Sequence, residues 1–219
     1  MTAGPDASDE EVQLRETDRS RLRRKADRAC RDPEVVAAIL DEALVCHVGF
    51  AIEGQPWVLP TAFARVGSHL YLHGAAGNFA LRALAAGAEA CVTVTLLDGL
   101  VLARSAFHHS MNYRSVMLFG RAERVTDPAE KRAALLAIVD HMVSGRSVAT
   151  RPPSDAELRA TLVVRLAIDE GSAKVRTGGP IEEPADLALG HWAGVVPLSL
   201  VRGEPQPDRP VVSDRRPRW

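Results

Sequence analysis

The chain has 219 residues, of which 46% are hydrophobic, enough for one domain with a full core. Its formal net charge of −1 excludes a long-range attraction to nucleic acid or to anionic lipid. Three widely spaced cysteines without a CxxC pair argue against a disulfide framework and indicate a reducing compartment, the cytoplasm. The polar N-terminus does not have the pattern of a signal peptide, and no apolar run approaches the roughly 20 residues that cross a membrane.

The N-terminal region is rich in charge and poor in large apolar residues. We expect a flexible tail over residues 1–20, one domain over 21–205 and a C-terminal tail over 206–219. A basic stretch at 21–25 predicts a solvated surface or a partner-binding arm. Asp32 and Pro33 then predict the start of a helix, because Asp caps free N–H groups and Pro suits the first turn.

From Leu44 onwards the pattern becomes that of strands. Residues 44–74 predict three strands, rich in β-branched and aromatic residues, with turns at 53–56 and 67–68. Residues 79–86 predict a short helix that ends at Gly87. The segment 91–107 predicts two strands around a turn at Asp98-Gly99, and 111–125 predicts one more.

The C-terminal half combines helices with the last strands. Residues 128–143 predict a helix, Ser154 predicts the cap of a shorter one, and 161–176 predict a strand pair or one bent strand. The apolar stretch 192–200 is expected to dock on the domain. Six or seven short antiparallel strands at hairpin spacing, with few helices, predict a mainly β fold with peripheral helices, closed as a barrel.

Common catalytic motifs are absent. His108, His109 and Ser110 are adjacent in the sequence, and adjacent residues of a strand point to opposite faces, so the three side chains cannot converge as a triad. The sequence has no GxSxG, GxGxxG or GxxxxGK[ST] motif, and no third ligand accompanies the His pair. The sequence therefore does not favour a hydrolase, a dinucleotide-binding fold, a P-loop protein or a metal site.

The segment 70–84 is more informative. A strand (LYLHG) leads into a turn of small residues (AAGN) and then into a helix, and this arrangement suits a phosphate because backbone N–H groups can approach the ligand. Many junctions of this kind bind nothing, so a purely structural turn is the alternative. His73 either faces a ligand of the turn or is a structural histidine bonded to the backbone.

Several segments in order resemble the pyridoxamine 5′-phosphate oxidase-like proteins. They are ILDEALVCHVGF, VLPTAFARVGSHLYLHGAAGNFALRALAAG, DGLVLARSAFHHSMNYRSVMLFGRAERV and AELRATLVVRLAIDEGSAKVRTGG. The chain is most similar to the branch of nitroimidazole-resistance-type proteins, over about residues 20–205. The resemblance implies an FMN-binding split β-barrel that forms a homodimer, with each flavin in a groove at the subunit interface.

The resemblance also implies a cofactor site. Strand 59–63 would line the flavin ring, the next strand and turn would hold its phosphate, Ser115 would lie near the ring, and Trp192 would close the pocket from the partner subunit. The residues expected in this site are Pro60, Thr61, Ala62, Phe63, Tyr71, Leu72, His73, Gly77, Asn78, Phe79, Arg82, Ser115 and Trp192.

One position departs from the family pattern. Phe79 stands in the turn where relatives commonly carry an Arg, and the missing charge-assisted contact is worth about 1.5–3 kcal/mol. Arg82, one helical turn later, or a protonated His73 would compensate. Without compensation, the chain binds FMN weakly, or binds a deazaflavin, a haem or nothing.

We therefore expect an FMN-dependent oxidoreductase that acts on a small molecule such as a nitro-aromatic or a quinone. A non-catalytic split-barrel module that binds a flavin, a deazaflavin or a haem is the alternative, and an interaction protein that uses segment 21–25 is the third. No residue pattern identifies a general base, and His73 and His109 are the candidate proton donors.

Overall fold

A computed structural model describes residues 12–208 of the chain. Within that range it has eleven strands and four α-helices, joined by short 3₁₀ turns. The strands are β1 (Ala29–Cys30), β2 (Cys46–Ile52), β3 (Gln55–Thr61), β4 (Phe63–Val66), β5 (His69–Ala75), β6 (Glu89–Leu102), β7 (Ser110–Arg121), β8 (Glu123–Arg124), β9 (Thr161–Ala167), β10 (Gly171–Arg176) and β11 (Gly194–Pro197). The helices are α1 (Pro33–Glu42), α2 (Phe79–Ala85), α3 (Pro128–Met142) and α4 (Asp155–Ala160).

The strands form two antiparallel sheets. The larger sheet has the order β1-β10-β7-β6-β2-β3, and β11 pairs with the far end of β6. The smaller sheet has the order β4-β5-β9-β8. The predicted mainly β, split-barrel class is confirmed, although the described strands outnumber the expected six or seven and the larger sheet does not close on itself.

The chain passes between the sheets four times within residues 12–208, and two of these crossings separate strands that were expected to lie together. The run 44–74 gives four strands because it leaves the larger sheet at Ala62 and enters the smaller one at Phe63. The segment 161–176 gives two strands, but they lie in different sheets and do not pair with each other. Hydrophobic pattern alone does not reveal such a change of sheet.

The turn expected at Asp98-Gly99 is wrong, because β6 continues through these residues with a shift of register between Leu97 and Gly99. A Cβ atom at Gly99 would lie 3.1 Å from Val195 Cγ1. Gly99 therefore leaves room for β11. In the sequence, a glycine at such a position resembles a turn residue.

The helix starts predicted from capping residues are confirmed. Asp32 and Asp127 accept backbone N–H groups at the start of α1 and α3, each followed by a proline. Ser154 and Glu157 form a reciprocal capping box at the start of α4. These local signals fix where the helices begin.

The N-terminal segment differs from the expected flexible tail. Val12 is only 4% exposed, and the Arg19 guanidinium donates two hydrogen bonds of 2.7 Å to the Glu170 carboxylate. Residues 12–20 therefore lie against the domain. The rest of the expected tail, residues 1–11, and most of the C-terminal tail, residues 209–219, lie outside the described range.

Two apolar clusters hold the sheets and helices together. The larger cluster fills the space between the sheets with side chains from both and from α1 and α2. The smaller one packs α3 on the other face of the smaller sheet, through residues such as Tyr71, Ile138 and Val163. No helix in residues 12–208 is long and apolar enough to span a membrane.

Candidate functional site

The end of β3 lies at the edge of the larger sheet, where backbone N–H and C=O groups are not all used in pairing. Pro60 is exposed, while Thr61 and Ala62 are half-buried at the change of sheet. The Thr61 hydroxyl donates to the Ala62 carbonyl at 3.3 Å. The strand that was expected to line the flavin therefore lies at an open sheet edge, where a ligand can reach its backbone.

The turn between β5 and α2 is open at its centre. A Cβ atom at Gly77 would meet no heavy atom within 4 Å. At Gly74 a Cβ atom would lie 2.8 Å from Leu81 Cδ1, so glycine lets α2 pack closely on β5. The Asn78 side chain accepts the Leu81 N–H at 3.1 Å and starts α2.

The Phe79 ring packs toward the edge of the larger sheet. Its centroid lies 5.2 Å from that of Trp57, in an edge-on arrangement, and 6.3 Å from that of Phe50. Phe79 is 48% exposed and Trp57 41%. We call Phe50, Trp57 and Phe79 the aromatic shelf. The shelf joins the turn to the β3 edge and leaves the turn open at Gly77.

Three expected site residues have side chains in the core. Phe63 is fully buried, and Leu72 is 2% exposed within the larger apolar cluster. Tyr71 is 8% exposed, and its hydroxyl donates to Glu130 Oε1 of α3 at 3.0 Å. Their side chains stabilise the fold, so these positions can offer a cofactor only their backbone.

His73 does not face the turn, because alternate residues of a strand point the same way and His73 shares the α3 side of β5 with Tyr71. It lines a cavity of about 400 Å³ whose other wall is formed by α3. The apolar side chains of that wall are Leu135, Leu136, Ile138, Val139 and Met142.

The imidazole of His73 has an unusual environment for a buried polar group. Its Nδ1 atom is buried, yet it has no hydrogen-bond partner among residues 12–208. Burial lowers the pKa of His73, which keeps the ring neutral. Unpaired buried polar atoms are rare in folded proteins, and within residues 12–208 the other buried side-chain atoms of this kind are Ser105 Oγ and the Nε atoms of Arg104 and Arg176.

Arg82, on α2, lines a different cavity from His73. It lines a groove of about 290 Å³ that begins at Ala76 of the turn and also contains Arg124 of β8 and Arg159 of α4. The sequence did not reveal Arg124 and Arg159 as site residues. Their convergence with Arg82 depends on the pairing of β8 with β9 and the position of α4.

Ser115 does not meet the β3 edge within one chain. It lies on β7, and its hydroxyl donates to the Lys174 carbonyl at 3.4 Å. Strands β6 and β2 separate β7 from β3, which amounts to three strand spacings, or about 14 Å. One subunit therefore does not place Ser115 and Pro60 against the same flavin ring.

Trp192 is also far from the β3 edge. It is 65% exposed and precedes β11, which pairs with β6 at Val101, whereas β2 pairs with β6 at Thr93. These two positions of β6 are eight residues apart, or about 26 Å along the strand. Within one chain, Trp192 therefore lies away from the β3 edge.

His109, the other candidate proton donor, does not lie in a cluster of catalytic groups within residues 12–208. His109 is exposed, and its Nδ1 lies 3.0 Å from the Ser105 carbonyl oxygen. Residues 12–208 contain no group of three or more His, Cys, Asp or Glu side chains placed to hold a metal ion. The region around β5 and α2 remains the candidate functional site.

The comparisons with known proteins agree with this architecture. The family model described as pyridoxamine 5′-phosphate oxidase matches residues 32–175. The chain belongs to the pyridoxamine 5′-phosphate oxidase family. No curated protein matches it significantly.

Two solved structures of this family are similar over most of the chain. The flavocytochrome Anf3 of Azotobacter vinelandii is 42% identical, with a TM-score of 0.84, covering 90% of this chain and 92% of its own. An FAD- and haem-binding protein of Mycobacterium smegmatis is 40% identical, with a TM-score of 0.82, covering 86% and 93%.

A more distant structure supports the branch expected from the sequence. A 5-nitroimidazole antibiotic resistance protein of Bacteroides thetaiotaomicron is 28% identical, with a TM-score of 0.58, covering 67% of this chain and 86% of its own.

Proposed function

We propose that this protein binds a flavin and a haem and works as a flavin-dependent oxidoreductase. The observation that carries the proposal is the position of His73: its imidazole lines a cavity of about 400 Å³ with an apolar wall from α3, and no residue within 12–208 binds its Nδ1 atom. The two similar structures are a flavocytochrome and an FAD- and haem-binding protein, which supports the same pair of cofactors.

The cavity beside His73 fits a haem. Haem iron is held by a neutral histidine, and the porphyrin ring needs apolar walls. Five α3 side chains supply such a wall, and Arg151 lies at the rim, where it pairs with Glu157 at 2.6 Å. In this proposal His73 ligates the iron, while α3 excludes water from the ring.

The flavin fits the β3 edge, the aromatic shelf and the open turn at 75–78. The backbone at 60–63 and 72–77 and the side chains of Asn78 and Phe79 are the contacts that one chain offers. FMN was expected from the sequence, and the similar mycobacterial protein binds FAD. We keep FMN as the first flavin to test and FAD as the second.

A bound flavin supplies two-electron redox chemistry, and a bound haem supplies one-electron chemistry. The protein's own contribution is to hold both groups on β5 and to shield them from water. A nitro-aromatic or quinone remains the proposed small-molecule substrate.

A non-catalytic carrier or sensor of the same cofactors is the second candidate. It is favoured by the lack of an acid–base pair beside the β3 edge among the described residues. Added reductant and acceptor distinguish the two functions, because the carrier binds its cofactors without turnover.

We also propose a homodimer. Large apolar side chains remain exposed at the β6–β7 hairpin and along segment 181–201, and a two-fold interface would cover them. They are Leu97, Leu100, Phe107, Met111, Ile181, Leu187 and Trp192. Size-exclusion chromatography with light scattering should give twice the 23.6 kDa chain mass. A monomer would contradict the dimer and would remove Trp192 from the site.

A cytoplasmic location agrees with the cysteines. Cys30, Cys46 and Cys91 are all free thiols, as a reducing compartment predicts.

The absorption spectrum of freshly purified protein tests the proposed function. We expect a flavin band together with the Soret band of haem, and mass spectrometry of the released chromophores identifies FMN or FAD. Colourless protein that takes up neither flavin nor haemin would contradict the proposal.

A further inference from the structure

The groove beside α2 concentrates positive charge. Arg82, Arg124 and Arg159 line it together, and small residues of the turn and of α2 form its other side. No hydrogen bond or ion pair joins any of these three guanidiniums to another residue within 12–208. Lys131 adds a fourth positive charge, because it shares a neighbouring cavity with Arg159.

The carboxylates closest in sequence to Arg124 and Arg159 form ion pairs with arginines outside the groove. Glu123, beside Arg124, binds Arg165 at 2.9 Å. On α4, Asp155 binds Arg132 at 3.1 Å. Glu157, also on α4, binds Arg151 at 2.6 Å. The groove arginines therefore lack an acidic partner, although acids are near in the sequence.

The positive charges also lie close enough to affect one another. Burial lowers the pKa of Lys131, and the charge of Arg124 lowers it further. Like charges held close together repel one another, and a bound anion would relieve that repulsion. The groove thus has the composition of an anion site.

We propose that this groove binds the phosphate groups of a nucleotide. Guanidinium groups match phosphate in planar, two-point hydrogen bonds, and several arginines fit a diphosphate better than a single carboxylate. The small side chains Ala76, Ala85 and Ala86 let the ligand approach the backbone. The groove could receive the diphosphate of a dinucleotide flavin whose tail leaves the turn at Ala76, or a separate nucleotide.

Isothermal titration calorimetry with ADP tests the site on the protein as purified. The variants are Arg124→Gln, Arg159→Gln and the double variant, which leave Arg82 and the turn unchanged. Arg24→Gln is the matched control, since Arg24 is exposed and outside the groove. Adenosine serves as the ligand without phosphate, and circular dichroism melting checks that each variant is folded.

If a separate nucleotide uses the groove, the wild type binds ADP but not adenosine. Each single variant then binds ADP about ten- to a hundred-fold more weakly, and the control is unchanged. If a dinucleotide flavin uses it, the wild type does not bind ADP, and the double variant loses FAD but still takes up FMN. The single variants provide the same readouts if the double variant does not fold.

Equal ADP binding by wild type and variants would overturn the proposal. So would a wild type that does not bind ADP combined with unchanged flavin in the double variant. Loss of haem alone from the double variant would also overturn it, because the groove would then hold a haem carboxylate. Colourless protein with arginine-dependent ADP binding would contradict the proposed function and leave this inference in place.

Discussion

Two positions on one face of β5 differ in how their polar atoms are satisfied. Tyr71 donates its hydroxyl to Glu130, and Glu130 also accepts from Arg165 at 2.8 Å. Two residues later His73 has a buried Nδ1 atom without a partner in the described chain. The first position belongs to a structural network, and the second is the position that we propose as the haem ligand.

Two arginines of the smaller sheet also differ in whether they have a partner. Arg165 of β9 binds both Glu123 and Glu130. Arg124, on the neighbouring strand β8, has no such partner in residues 12–208 and faces the groove. Arg165 therefore belongs to the structural network around Tyr71, and Arg124 does not.

Replacement of Glu130 should give the largest loss of stability. Glu130→Ala leaves the buried Tyr71 hydroxyl without an acceptor, and we expect about 1–3 kcal/mol less free energy of unfolding. Urea denaturation measures the change. Glu123→Ala is the control, because it removes the more exposed partner of Arg165. Equal losses in both variants would show that Tyr71 does not depend on Glu130.

Tyr71→Phe should have a smaller effect. It removes the hydroxyl and its hydrogen bond together, so about 0.5–1.5 kcal/mol is expected. The unfolding midpoint in urea should fall between those of the wild type and Glu130→Ala. A loss larger than that of Glu130→Ala would contradict this network.

The contact of the N-terminal segment should weaken in acid. Hydrogen bonds from Arg19 and Thr17 lower the pKa of Glu170 to about 2 from 4.5. The contribution of the ionised Glu170 to the stability of the folded state is present above pH 4.5 and is lost as the pH falls toward 2.

Arg19→Gln should remove that part of the acid dependence. It should cost at most about 1 kcal/mol at neutral pH, because Arg19 is 45% exposed. Unfolding curves at several pH values measure both effects. An unchanged pH dependence would show that the Arg19–Glu170 pair does not contribute to stability.

His73→Leu should have the smallest effect on the stability of the cofactor-free chain. No hydrogen bond of Nδ1 is lost, and a buried polar ring is replaced by an apolar side chain beside α3. We expect an unfolding free energy within about 0.5 kcal/mol of wild type, or higher. A clear destabilisation would show that His73 has a structural partner.

The sequence predicts those features of the fold that depend on neighbouring residues. The helix starts are predictable because a capping side chain binds backbone N–H groups within three residues of itself, as Asp32, Asp127 and Ser154 do. Gly99 suggested a turn, but glycine is needed there because β11, almost 100 residues later, packs against it. The change of sheet at Ala62 has no local signal.

The candidate site was predicted in part for the same reason. The strand, turn and helix at 70–84 are visible in the sequence, but the direction of His73 depends on which face of β5 packs on α3. The aromatic shelf and the grouping of Arg82 with Arg124 and Arg159 arise only from tertiary structure.

The haem content of His73→Leu tests the central claim most directly. His69→Leu is the matched control, since His69 is on the same face of β5 but its Nδ1 lies 3.3 Å from Ser68 Oγ. Haem per chain, measured as the pyridine complex, should be close to one in the wild type and in His69→Leu and near zero in His73→Leu, with flavin retained in all three. Full haem in His73→Leu would contradict the account.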